Sequence, residues 1–244
     1  MRHWTLCIGS LAALCALAPA QTQKQRALGD ALAKDIDRQV QRINDPSIIE
    51  YLQRVENRLA LAAGVKPLEL RLVRNAKLSA RLLPNGVLYI SSGLLERIES
   101  EAELAGLLAH EQAHLPWPPS SLSQTQAIPL VFLPVCVLQG SAIMPVGWIK
   151  ERREPEMQAT AAAVKTLKAA GYDPEAVLEL FSKLSYENPP WSKAIVSGDL
   201  FDLRATLETD LPPPGGYLID GSGFLQMHAR LARLVGQEAR NTPN

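Results

Sequence analysis

Residues 103–119, ELAGLLAHEQAHLPWPP, place two histidines and a glutamate on an apolar helical run that stops at a cluster of prolines. Positions four apart share one face of a helix, so His110 and His114 can aim both imidazoles at a single metal ion. Glu111 stands one step round the helix. There its carboxylate can take a proton from water that the metal has acidified and pass it to a leaving amine. Two histidines and a glutamate on a buried apolar helix are costly without a partner, and a metal with its water is one. The competing reading is a satisfied pair of core histidines with no metal.

Working outward, the helix is expected from about Ser100 to Leu115. Ser100 with Glu103 makes a capping box, and Glu99, Glu101 and Glu103 put negative charge at the positive end of the dipole. Its apolar residues cover most of the circumference, so it should be buried nearly all round, with Pro116, Pro118 and Pro119 ending it. Just before it, Leu68, Leu70 and Leu72 alternate as a strand, and Val87 to Ile90 form a second after the turn Pro84-Asn85-Gly86. Further upstream, residues 27–63 read as two packed helices interrupted at Asp45-Pro46. Downstream, a helix is expected from Pro155 to Ala170, another after Asp173-Pro174, and a last amphipathic one carrying Phe224, Leu225, Met227, Leu231, Leu234 and Val235.

A catalytic zinc needs a third protein ligand and one open position. Beyond His114 the next histidine is His228, so carboxylates are the candidates, and Glu151, Glu154 and Glu156 lie together near the start of the next polar helix.

The segment LLPNGVLYISSGLLERIESEAELAGLLAHEQAH resembles the core of the HtpX, BepA and Oma-type zinc metallopeptidases, relatives of the CAAX prenyl endopeptidases. The segment RREPEMQATAAAVKTLKAAGYDPEAV resembles that family's ExxxD helix and the Ala-Gly-Tyr-Asp-Pro sequence after it, and together the likeness covers residues 28–185. The resemblance implies an α+β, mainly helical, zincin-like (gluzincin) domain with a small antiparallel sheet beside the HExxH helix. It implies His110, His114 and Glu156 as ligands of one Zn2+ per chain, Glu111 as general base, and Val87 to Ile90 as the edge strand that aligns an extended substrate. The expected activity is that of a zinc metalloendopeptidase acting on misfolded or membrane-associated proteins in cell-envelope quality control.

The chain departs from the family pattern at three places. Thr160 stands where the family has the aspartate of ExxxD; Pro155 directly precedes Glu156; and the prolines from Pro116 replace a helical continuation. His228 is followed by Ala229 and so does not match the histidine that some relatives add near the C-terminus. Thr160 and the prolines motivate a second reading, a metallopeptidase-like binding or scaffold protein that keeps zinc for structure or has lost it.

The 244 residues are 47% hydrophobic and 20% charged, with 25 Lys plus Arg against 25 Asp plus Glu. A core can therefore form without disulfides, and no net basic field exists to hold nucleic acid. Arg2 and His3, the apolar run Trp4 to Ala18 and the sequence Ala18-Pro19-Ala20 read as a secretory signal peptide, with a lipid on Cys15 or a retained anchor as alternatives. Cleavage before Gln21 leaves Cys136 alone, an inert buried thiol with no disulfide partner. Residues 126–150 are apolar but broken by Pro129, Pro134 and Pro145. They read as a buried or hairpin-like insertion, with membrane contact the alternative. The expected organisation is a signal peptide at 1–20, a metallopeptidase domain at 21–200, and a C-terminal loop and amphipathic helix at 201–244, in an exported, periplasmic or secreted protein.

Overall fold

The computed structural model describes residues 23–115, 146–187, 197–207 and 212–239, and for residues 146–155, 197–199 and 237–239 the backbone alone. The expectations for the signal segment, for Cys136, for Pro116 to Pro119 and for most of 126–150 lie outside these residues. Among the described residues no helix is long and apolar enough to cross a membrane.

The interruption at Asp45-Pro46 separates α1 (Gln23–Gln39) from α2 (Pro46–Ala63). Asp45 caps α2, accepting from Ile48 N at 3.2 Å, and Pro46 sits in the first turn, where its missing N–H costs no bond. The strands are β1 (Glu69–Val73), β2 (Ala80–Leu82) and β3 (Val87–Ser91), in the order β1-β3-β2. β1 runs parallel to β3 with Leu70 opposite Leu88, and β2 runs antiparallel to it with Ala80 opposite Ile90. The sheet is therefore mixed rather than antiparallel. The turn at Pro84-Asn85-Gly86, with Gly86 at φ 86°, joins β2 to β3, and β1 reaches β3 only across the intervening residues 74–86.

This topology corrects a second expectation: β3 is the central strand and not an edge. Both of its backbone edges are paired, so an extended substrate cannot add to it. Side-chain alternation splits the sheet between two cores. Leu70, Leu72, Leu88 and Ile90 face the main helical core, whereas Val73, Val87 and Tyr89 pack with Ala33, Leu32 and Ile36 of α1 and with Val40 just after it. Thus α1 covers the far face of the sheet instead of packing against α2, which belongs to the main core.

After β3 come α3 (Ser92–Arg97) and α4 (Glu101–Ala113). Half of the expected capping box forms at the start of α4: Ser100 Oγ accepts from Glu103 N at 3.0 Å, whereas Glu103 Oε2 accepts from Glu99 N at 2.8 Å, one residue before the N-cap. Every residue from Glu101 to Gln112 is buried. The two acidic residues of the first turn are paired, Glu103 with Lys183 Nζ at 2.9 Å and Glu101 with the hydroxyls of Tyr51 and Tyr172 at 2.5 and 2.7 Å.

The next helix, α5, spans Val146–Ala170, so Pro155 lies inside it and not at its start. A proline fits helical φ and removes one backbone donor, which lets the trace continue through a position that a sequence rule takes as a beginning. Gly171 at φ 78° ends α5, and α6 (Glu175–Glu187) follows with Asp173 Oδ1 accepting from Glu175 N. Helix α7 (Ser197–Leu207), which the periodicity did not single out, and α8 (Phe224–Ala239) are the last two helices among the described residues. Phe224, Met227 and Leu231 join the main core, whereas Leu225 is 73% exposed.

Candidate metal centre

Helix α4 packs against α5, α6 and α2, so the HExxH turn is enclosed on several sides. Gly106 permits the approach of α6: a Cβ there would lie 2.8 Å from Val177 Cβ and 2.9 Å from its Cα. One turn further on, His110 is 1% exposed and its ring meets Phe181 of α6 edge-on, with centroids 4.6 Å apart. His114 caps the C-terminal end of α4 and remains partly open, with its side chain 24% exposed. Glu111 is buried beside them.

From α5, Glu156 brings Oε2 to 3.1 Å from His110 Nε2 and 3.4 Å from His114 Nε2, and the two Nε2 atoms are 3.2 Å apart. Among the described residues these three form the one group of His, Cys, Asp or Glu side chains able to hold a metal ion, with ligand atoms within 4.8 Å of one another. Two donors each about 2.0–2.1 Å from a tetrahedral zinc stand about 3.3 Å apart, so the three separations fit a metal-ligand set. Burial pushes the Glu156 carboxyl up, but hydrogen bonds and charge from His110 and His114 outweigh it and hold the group well below the usual carboxylate range.

Thr160 occupies the position where a carboxylate was expected to be missing. It is fully buried, one turn beyond Glu156, with Oγ1 at 3.2 Å from His110 Nδ1 and 2.9 Å from the Glu156 carbonyl. The imidazole that seemed to lack an orienting partner has a hydroxyl instead. On the opposite side of α4, Gln112, the first variable residue of HExxH, donates from Nε2 to Glu56 Oε1 at 2.8 Å, and Leu68 N donates to the same atom. Neither Phe181 nor Glu56 carries a sequence signal, because their roles depend on which helices α4 meets. His228 lies elsewhere, tilted against Phe224 with Nε2 at 3.2 Å from the Glu96 carbonyl.

Residues 46–233 match the profile of Peptidase family M48. The chain belongs to that family. This M48 chain is 25% identical over 191 residues to the beta-barrel assembly-enhancing protease of Yersinia pestis, covering 70% of the chain and 39% of that protein. It is 28% identical over 156 residues to the mitochondrial metalloendopeptidase OMA1 of Schizosaccharomyces pombe, covering 59% and 46%, respectively. It is 23% identical over 181 residues to the beta-barrel assembly-enhancing protease of Escherichia coli strain K12, covering 64% and 37%. The M48 chain thus spans less than half the length of these curated relatives.

Proposed function

We propose that this chain is a zinc-dependent metalloendopeptidase of the cell envelope that cleaves misfolded or membrane-associated proteins. The observation that carries the reading is the triangle of His110, His114 and Glu156 donors at metal-ligand spacing, beside Glu111, in a chain of Peptidase family M48. Zinc, when held there, supplies a Lewis acid that polarises a carbonyl and acidifies water.

His110, packed against Phe181 and Thr160, gives one fixed donor, and Glu156 gives an anionic one. His114 would complete the set that holds the ion. Glu111, buried beside the two histidines, would take the proton of the attacking water and return it to the amine that leaves. The outer edge of β1 is covered by Gln41 and Ile43, through Ile43 N to Leu72 O and Arg74 N to Gln41 O.

The envelope setting is supported by the signal-like first 20 residues and by relatives named for β-barrel assembly. Against the scaffold reading stands the contact of Thr160 with His110. Glu111→Gln tests the mechanism: zinc content should stay at one per chain while hydrolysis of casein falls to background. Unchanged turnover in that variant would rule the mechanism out.

A further inference from the structure

Along its middle, α4 is apolar on every side: between Glu103 and His110 the side chains are Leu104, Ala105, Gly106, Leu107, Leu108 and Ala109, all buried. Burial of such a surface is non-directional, so it holds the helix in the core without choosing which way its C-terminal turn faces. Polar bonds make that choice. In the first turn they are those of Glu101 to Tyr51 and Tyr172 and of Glu103 to Lys183, about two turns before His110. At the HExxH turn, His110, Glu111 and His114 belong to the site itself. That leaves Gln112, about half a turn round the helix from both histidines, 5% exposed and donating to Glu56 Oε1 at 2.8 Å.

Glu56 is completely enclosed, and its Oε1 also accepts from Leu68 N at 2.8 Å, so one oxygen ties α2 and the residue before β1 to the back of α4. A carboxyl is a costly group for that place. Its Oε2 has no hydrogen-bond partner among the described residues, and burial pushes the group above the usual carboxylate range. Apolar residues of similar volume are often neutral or stabilising where buried charged groups stand, so stability alone gives no account of the pair. We propose that Glu56 is a positioning residue for the metal centre: through Gln112 it fixes the rotation of α4 that turns His110 and His114 toward Glu156. The inference rests on the metal-centre reading for its purpose, but the rotation is observable without metal. The HExxH spacing gives the histidines a common face, and the bond on the opposite face sets where that face looks. Phe181 marks the rotation, because its ring meets His110 edge-on with centroids 4.6 Å apart and a turn of α4 would separate them.

The test uses the full chain with Glu56→Gln, which keeps an acceptor oxygen, with Glu56→Leu and Gln112→Leu, which each remove the bond, and with the double variant Glu56→Leu/Gln112→Leu. In chelator competition, zinc affinity should fall about three- to tenfold in Glu56→Leu and in Gln112→Leu, the worth of one net hydrogen bond, and stay at the parent value in Glu56→Gln. The double variant should lose no more than the larger single loss, because both substitutions remove the same bond. In the metal-free protein, NMR cross-peaks between the rings of His110 and Phe181 should weaken in Gln112→Leu and persist in Glu56→Gln. A merely structural pair would change unfolding free energy while leaving zinc affinity and the ring contact as in the parent, and that result would overturn the proposal. So would losses that add in the double variant. If Glu56→Leu does not fold, Gln112→Leu and Glu56→Gln decide the matter between them. A parent chain that binds no zinc would overturn the metal-centre reading instead, and the ring contact would still show whether the pair sets the rotation of α4.

Discussion

At the scale of single residues, the centre depends on an anionic donor arriving from a different helix than the two histidines. Replacing Glu156 by Gln removes the charge while keeping the shape, so zinc affinity should drop by more than the roughly hundredfold seen when only an orienting partner is lost. Chelator competition measures this, and an affinity within a factor of about three of the parent would remove Glu156 from the ligand set. His110, Glu111 and His114 were legible in the sequence because their spacing alone, four residues on one helix, fixes their common face. Glu156 was not legible from spacing: Glu151 and Glu154 were equal candidates, and only the family resemblance separated them. Thr160 was legible as a difference, but its bond was not. That bond needs the crossing of α4 and α5 to bring a ring nitrogen to a hydroxyl 50 positions later.

At the scale of elements, the close approach of α4 and α6 at Gly106 and Val177 sets Phe181 against His110. A methyl group at Gly106 would meet the backbone of Val177, which cannot turn aside as a flexible side chain can. Gly106→Ala should therefore cost about 1–3 kcal/mol by denaturant unfolding, despite alanine's better helix propensity. It should also weaken zinc binding by moving Phe181; a stabilised Gly106→Ala variant would contradict this packing. The Ser100 cap of α4 and the Asp45-Pro46 start of α2 were visible because a cap is a local bond between near neighbours. The sheet order was not. Ala80-Arg81-Leu82 is too short to show alternation, and without it Val87 to Ile90 looks like the second strand of a hairpin rather than the middle of three. Likewise, the apolar stripe of α1 shows that it packs on something, not that its partner is the far face of the sheet.

At the scale of the whole molecule, two couplings join the site to the stability of the fold. The first is Glu56, fully enclosed between α2, β1 and the HExxH helix, with Oε2 lacking a partner among the described residues. Burial raises its carboxyl, hydrogen bonds from Leu68 and Gln112 pull it partway back, and it is pushed up to about 7 from 4.5. A folded pKa above the unfolded one means that the native state binds the extra proton. The resulting cost is about 3 kcal/mol above pH 7 and is relieved as pH falls from 7 toward 4.5. Glu56→Gln places an amide oxygen for both donors with no charge. In the metal-free protein it should flatten the fall in unfolding free energy between pH 5 and 8 and leave the variant more stable than the parent at pH 8. Identical pH slopes for the two proteins would contradict this. The second coupling is zinc itself, which should raise unfolding free energy by about 2.7 kcal/mol at a free concentration a hundred times its Kd.

The central claim, that His110, His114 and Glu156 hold one zinc with a position left open, is met most directly by X-ray absorption at the zinc edge of the loaded protein. The account predicts one zinc per chain in a shell of about four nitrogen and oxygen neighbours at about 2.0–2.1 Å, with the outer-shell pattern of two imidazoles. A shell with sulfur at about 2.3 Å, a single imidazole, or a spectrum that Glu156→Gln leaves unchanged would contradict it.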